Sequence, residues 1–300
     1  MTNLILYGAT VLIWGSTWLA ITFQIGPVDP LLSVCYRFAL ASLLLLAYSI
    51  VTGKRLRFSP RAHLFFFLQG LFLFGLNYWL FYLTSQHLTS GLVSLIFANL
   101  LVMNAINGRL LLGRPIQPHV AVAAGIGLVG MALVFWPEFE NISLQGGVGL
   151  ALFWAMAATY SASLGNILSA RNQAEGLPIL QTNAFGMGYG ALLMLAMALV
   201  ARRPLLFDWS PPYIGSLLFL SIFGSMVAFA CYLTLVGRLG ADKAAYASLL
   251  FPIVALQLSV WFEDYRWTLQ SLLGLGIVLL GNLIILTPPE RLRRIFGRAG

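Results

Sequence analysis

Apolar residues fall along this chain in runs of about 20, each closed by a few polar, glycine or proline residues before the next begins. A helix of that length rises about 30 Å, the thickness of the hydrocarbon layer of a bilayer, so each run is predicted to cross a membrane as an α-helix. The pattern places ten spans near residues 4–22, 31–52, 64–86, 89–108, 118–136, 147–169, 178–200, 213–236, 243–262 and 268–287. Their continuity favours helices over a barrel, whose strands alternate over about ten residues. Twelve of the thirteen prolines lie between spans or at span ends. Pro252, inside ASLLFPIVALQL, is the exception. It is predicted to remove a helical hydrogen bond and kink the ninth span, either as a static bend or as a hinge. The matching stretch of the fourth span, SLIFANLLVMNAING, carries Asn99, Asn104 and Asn107 and no proline.

The spans repeat. AGIGLVG (124–130) and LGIVLLG (275–281) correspond at a spacing of 151, matching Gly125, Ile126 and Gly130 to Gly276, Ile277 and Gly281. Trp14 corresponds to Trp154 in LFWAMAATYSAS, and YRFALASLLLLA loosely to NAFGMGYGALLMLA. A unit of five spans crosses the membrane an odd number of times, so its second copy enters from the opposite side. The fold expected is an all-α integral membrane protein made of two inverted five-helix repeats, residues 1–137 and 138–289, followed by a basic tail, 290–300. Such symmetry serves transporters that bind solute near the midplane, between the halves.

Composition agrees: of 300 residues 60% are hydrophobic and 9% charged, with a mean hydropathy of +0.88, leaving little for a soluble domain. The +8 net charge reports orientation. With the N-terminus inside, the inner connections and tail hold thirteen Lys and Arg, the outer ones only Arg202, Arg203 and Arg266. That bias predicts a multi-pass membrane protein with both termini cytoplasmic. The first span has no preceding basic residue and no clear cleavage site, so it is expected to be retained. Cys35, Cys231, His63, His87 and His119 suggest neither a disulfide nor a metal site. The partners expected are the bilayer and a small-molecule substrate, with no cofactor and no nucleic acid. A monomer is compatible with the sequence, which does not set the oligomeric state.

All nine acidic residues lie in connections or at span ends. A proton pump or cation exporter ordinarily needs a carboxylate within the membrane, so proton antiport of the small-multidrug kind is disfavoured. Without a buried basic cluster, sugar-phosphate exchange is disfavoured too. A membrane enzyme would need a catalytic set, yet there is no HExxH, no aspartate in a span and no in-membrane histidine near the span serines.

What the spans offer is neutral and aromatic. In FGLNYWLFYLTSQ, Phe74, Tyr78 and Tyr82 recur every four residues, with Ser85 three further on, so they share one helix face. That face should meet a cavity or another helix, because a buried phenol needs a partner. Trp14, Thr17 and Trp18 form a similar face in the first span, beside Gly15 and Ser16, whose small size suits helix packing. The candidate substrate-binding residues are Trp14, Thr17, Tyr78, Tyr82, Ser94, Asn99, Trp154, Ser161, Tyr246 and Ser248, with Pro252 a candidate hinge and no catalytic or metal-binding residue. Asn104 and Asn107, nearer the inner end, are expected to join helices. Tyr36, Trp79 and Trp267 are expected at lipid or the interface. Arg37, the single mid-span cation, is expected to snorkel outward or pair with an acid such as Asp29; the alternative is attraction of a carboxylate.

WGSTW in the first span, PLLSVCYRF opening the second, and the glycine-bearing segment closing each half resemble the drug/metabolite transporter superfamily in its ten-helix form with two EamA-type repeats. The resemblance covers nearly the whole chain. Within that superfamily the likeness is to bacterial inner-membrane exporters of amino acids, particularly aromatic ones. It implies a cavity lined by spans one, three, four, six, eight and nine, with five and ten peripheral. Arg114 stands where the family often has Glu after Gly113, Leu101 where a proline is usual, and the second half lacks a counterpart of Arg37. The function expected is export of small neutral or zwitterionic metabolites, aromatic amino acids foremost, by alternating access and facilitated diffusion. Proton-coupled drug or metabolite efflux is the alternative, with a membrane-embedded enzyme behind it.

Overall fold

A computed structural model describes residues 2–113, 118–134, 136, 147–239 and 246–288, and every regular element among them is helical. In chain order the helices are α1 (Asn3–Thr22), α2 (Pro30–Val51), α3 (Pro60–Thr84), α4 (Ser90–Leu112), α5 (Pro118–Val134), α6 (Val148–Ala174), α7 (Ile179–Val200), α8 (211–239), α9 (246–262) and α10 (Leu269–Leu286). Seven of them are at least 18 residues long and apolar enough to cross a bilayer by length and composition; α5, α9 and α10 contribute the shorter apolar stretches Val122–Val134, Phe251–Phe262 and Leu269–Ile284. Arg114, the junction near residues 137–138 and the basic tail 290–300 lie outside the described residues.

The helices coincide with the predicted spans except at a few ends. α3 starts at Pro60 rather than 64, because the Ser59 hydroxyl caps it by accepting from the Ala62 N–H at 3.2 Å, and Pro60 needs no N–H in the first turn. α6 runs to Ala174 rather than 169, adding the polar turn SARNQA. There Arg171 lies 3.3 Å over the Phe65 ring and pairs with Glu175 at 3.7 Å. One turn later in α3, Gln69 donates to Asn183 and accepts from Asn172, at 2.9 and 3.0 Å. These amides are buried and satisfied, joining α3, α6 and α7.

Helices pair across the two halves. α2 packs on α7, with the Ser42 hydroxyl donating to the Ala184 carbonyl at 2.8 Å, and α5 packs on α10. At the second contact a Cβ on Gly130 would fall 2.7 Å from the Gly274 carbonyl oxygen, so only glycine permits that approach. α4 meets α9, α1 meets α8, and α3 meets α6. Second, fourth and fifth helices thus meet their own counterparts while first and third exchange partners. A two-fold axis between the halves requires this pattern.

Two departures from α-helix recur in both halves. α3 widens to a π-helical stretch over Gly70–Leu76, and α8 does so over Phe219–Val227. Sequence follows: FLFG and YLT in α3 return as SIFG and YLT in α8, but Gly75 to Tyr82 is seven residues and Gly224 to Tyr232 is eight. The second departure is a break in α4 and in α9, which shapes the site.

Candidate functional site

α4 is two rods, Ser90–Phe97 and Leu100–Leu112, meeting at Ala98 and Asn99. The Asn99 side-chain amide donates to the Ile96 carbonyl at 2.9 Å, occupying an acceptor near the interruption. α9 begins as a 3-10 turn, Tyr246–Leu250, and becomes α-helical over Phe251–Phe262. Pro252 therefore sits in the first turn of a rod, where its missing N–H costs nothing, and the kink expected within a continuous ninth helix is corrected to a helix start. The fourth span, expected to be continuous, breaks without a proline.

A cavity lies between the two interruptions. It is lined by Ser94, Phe97, Ala98, Leu100 and Leu101 of α4, Ser248, Phe251 and Pro252 of α9, and Asn282 of α10. Irregular backbone at membrane depth is tolerated where it lines a cavity, and discontinuous helices crossing there are how many transporters build their sites. The Ser94 hydroxyl is buried and has no hydrogen-bond partner among the described residues. Asn282 is 6% exposed. The lining is symmetric: SLIF (94–97) and SLLF (248–251) are the same tetrapeptide but for the isomeric pair Ile96 and Leu250, and each supplies its serine and its phenylalanine.

Behind each phenylalanine stands a tryptophan of α1. Trp14 presents an edge to Phe251, with centroids 5.6 Å apart, and also meets Phe229 and Tyr232 of α8. Trp18 meets Phe97 at 5.2 Å and Phe81 at 5.0 Å. Between the tryptophans, Gly15 lets α1 reach α9, since a Cβ there would lie 2.6 Å from that of Val254. The Ser16 and Thr17 hydroxyls donate within α1, to Leu12 and Ile13 and to Trp14. The Thr17 hydroxyl is thus already committed to the backbone.

Trp14 also donates its indole N–H to the Gly224 carbonyl at 3.0 Å. On the other side of the two-fold, the Ser161 hydroxyl donates to the Phe72 carbonyl at 2.8 Å. Both acceptors lie in the π-helical stretches, so the first helix of each half bonds the widened third helix of the other. A π-helical stretch changes the carbonyl spacing along a helix and is common at functional sites.

The tyrosine stripe meets α2. Phe74 and Tyr78 pack on Phe38 at 5.4 and 4.8 Å, and Tyr78 lies 4.4 Å over the Arg37 guanidinium. Tyr82 is fully buried and donates to Gln24 at 2.7 Å. Arg37 departs from expectation: it is 1% exposed and does not snorkel, while Asp29 caps α2 and pairs with Arg203 at 3.2 Å. Tyr36 donates to the Leu206 carbonyl, and Trp79 and Trp267 pack partly buried against the core. Trp154 stands apart from the cavity, tilted on His87 at 5.9 Å. Asn107 donates to Ser163, joining α4 and α6. The Tyr246 side chain lies outside the described residues.

Of the candidates, the cavity gathers Ser94, Ser248 and Pro252, with Asn99 at its break and Trp14 one ring behind. Sequence reasoning missed Phe97, Phe251 and Asn282. The repeated SLIF and SLLF marked the first two, and a lone amide in the apolar run LGIVLLGNLIIL marked the third.

At the end nearest His87, the Glu263 carboxylate holds α9 to α4. It accepts from the Ser90 N–H at 3.0 Å and from the Ser90 and Ser259 hydroxyls, while the Gly91 N–H donates to Ser259 at 2.8 Å. An anion at a helix N-terminus is stabilised by the unpaired N–H groups there.

The chain matches the model of the EamA-like transporter family over residues 2–136 and again over 149–287. It is similar to protein PagO of Salmonella typhimurium, 24% identical over 94% of this chain and 92% of that protein. An uncharacterized transporter of Archaeoglobus fulgidus is 26% identical, covering 95% and 99%, and the uncharacterized inner membrane transporter YedA of Escherichia coli 25%, covering 92% and 88%. A crystal structure superposes with a TM-score of 0.70 at 16% identity over 98% of both chains, which speaks to the fold alone.

Proposed function

The chain belongs to the EamA-like transporter family and is a membrane transporter, and on that premise we propose that it exports small neutral or zwitterionic metabolites, aromatic amino acids foremost, across a bacterial inner membrane. The observation that carries this reading is the cavity where broken α4 and α9 meet, about 40 Å³ and narrower than a ring in this form, walled by Phe97 and Phe251 and offering Ser94, Ser248 and Asn282. Phenylalanine faces suit a ring, and the hydroxyls and amide suit a polar head group. No charged residue is among those lining it. Such a lining gives no advantage to a cationic dye. Transport proceeds by alternating access down the solute gradient, and the solute leaves chemically unchanged.

Counterflow in proteoliposomes tests this, with all amino acids and a few cationic dyes as solutes. Aromatic amino acids are expected to exchange fastest and without an imposed pH gradient. Preference for the dyes overturns the substrate assignment. Strict need for a proton gradient overturns facilitated diffusion and favours the proton-coupled reading, for which Glu263, held at the junction of α4 and α9, is the carboxylate to test.

A further inference from the structure

Arg37 is the largest fully buried side chain among the described residues. Its Nε and Nη1 have no hydrogen-bond partner there, and neither ion pair found among the described residues involves it. A guanidinium cannot shed its charge to relieve burial, as a lysine can. What surrounds it is attractive but incomplete. The rings of Tyr78 and Phe38 lie 4.4 and 5.0 Å from Cζ, and the Tyr82 hydroxyl stands beside the guanidinium, which helps to hold a cation yet leaves Nε and Nη1 without an acceptor. A structural arginine this near the end of a helix has an easier course, the outward reach that the sequence suggested. Arg37 turns inward instead, towards the π-helical stretch of α8. There a Cβ on Gly224 would lie 3.7 Å from Nη2 and 3.0 Å from the Thr17 methyl, so in this form α1 and α8 close over the charge.

We infer that Arg37 binds a carboxylate carried by the transported solute. Planar and bidentate, the guanidinium matches that group, and its unused donors supply the hydrogen bonds that the rings do not. Trp14 stands between this place and the cavity, bonding the Gly224 carbonyl with its N–H and touching Phe251 with its ring. An aryl body at the phenylalanines and a carboxylate at Arg37 are the two ends of an aromatic amino acid or arylalkanoic acid. The assignment rests on the transporter reading above and deepens it by fixing which head group is recognised.

The test compares acids with amides that lack the carboxylate on purified protein: phenylacetate against neutral phenylacetamide, and L-phenylalanine against L-phenylalaninamide, which keeps the ammonium. Binding is read from the shift in thermal unfolding and from tryptophan fluorescence. In the native protein each acid is expected to bind at least about tenfold more tightly than its amide, a difference of the size one charge-assisted pair supplies. Arg37→Gln should abolish that preference, and Arg37→Lys, which keeps the charge but not the fork, should weaken it. Equal binding of acid and amide to the native protein overturns the assignment, and needs no variant to fold. So does a preference that survives in Arg37→Gln, or full stabilisation by chloride alone to which neither acid adds. Failure of amino-acid counterflow with the acid preference intact removes the amino-acid substrate and leaves Arg37 as a carboxylate site. Amino-acid flux with acid and amide bound alike does the reverse.

Discussion

Trp14 and Gly224, 210 residues apart, share a hydrogen bond of 3.0 Å that ties the first helix of one half to the widened helix of the other. The same indole braces Phe251 at the cavity wall. Trp14→Phe keeps a ring and loses the donor, so it is expected to lower stability by about 1 kcal/mol, the net worth of one such bond. Trp14→Ala loses the ring contacts as well and should cost about 3 to 5 kcal/mol. Thermal unfolding in detergent checks the order. Equal losses would mean that the ring faces contribute nothing.

Ser94 has a buried hydroxyl with no partner of its own in the described structure. Ser94→Ala is therefore expected to leave stability within about 0.5 kcal/mol of the native protein while raising the half-saturating solute concentration by about five- to tenfold. Concentration-dependent counterflow beside a melting curve separates the two effects. A large loss of stability with unchanged affinity would make Ser94 a packing residue.

Tyr82 is enclosed, and its hydroxyl is the donor to Gln24. Tyr82→Phe should cost about 1 to 3 kcal/mol, because the Gln24 carbonyl oxygen is left buried without that donor. Gln24→Leu in the same background should recover part of the loss, since it removes the orphaned group. Melting curves of the two single variants and the double variant decide it. An additive double variant would contradict the pairing.

At the α4–α9 junction, Glu263 accepts from both the backbone and the hydroxyl of Ser90. Glu263→Gln retains the shape but not the charge, and is expected to lower stability by about 1 to 2 kcal/mol. Amide hydrogen exchange over residues 90–93 should quicken more than exchange in α5 or α10. Uniform quickening, or none, would show that the carboxylate is not what anchors α4.

The spans could be read from sequence because a bilayer dictates helix length, and the glycine-bearing segments that revealed the repeat are where α5 and α10 approach closely. Period-four spacing correctly put Phe74, Tyr78 and Tyr82 on one face. What that face would meet depended on α2, which the spacing of one helix does not contain. The break at Ala98 and Asn99 has no proline or glycine of its own and is visible only by register with Pro252 in the second half. Arg37 was misjudged for a related reason. Its depth suggested an outward reach, whereas it lies against Tyr78 and beside Gly224, on two other helices. Local pattern reveals a residue's helix and face, and tertiary neighbours decide the rest.

The extra residue between Gly224 and Tyr232, relative to Gly75 and Tyr82, bears on energetics. In an ideal inverted repeat, exchanging the conformations of the two halves converts the form open to one side into the form open to the other, and the two are isoenergetic. Here α8 has a longer π-helical stretch than α3, so its backbone cannot adopt the mirror conformation residue for residue. The degeneracy is lifted in the main chain itself. Under the alternating access proposed above, the cycle is expected to start from a preferred side, and this main-chain difference adds to the side-chain differences between the halves.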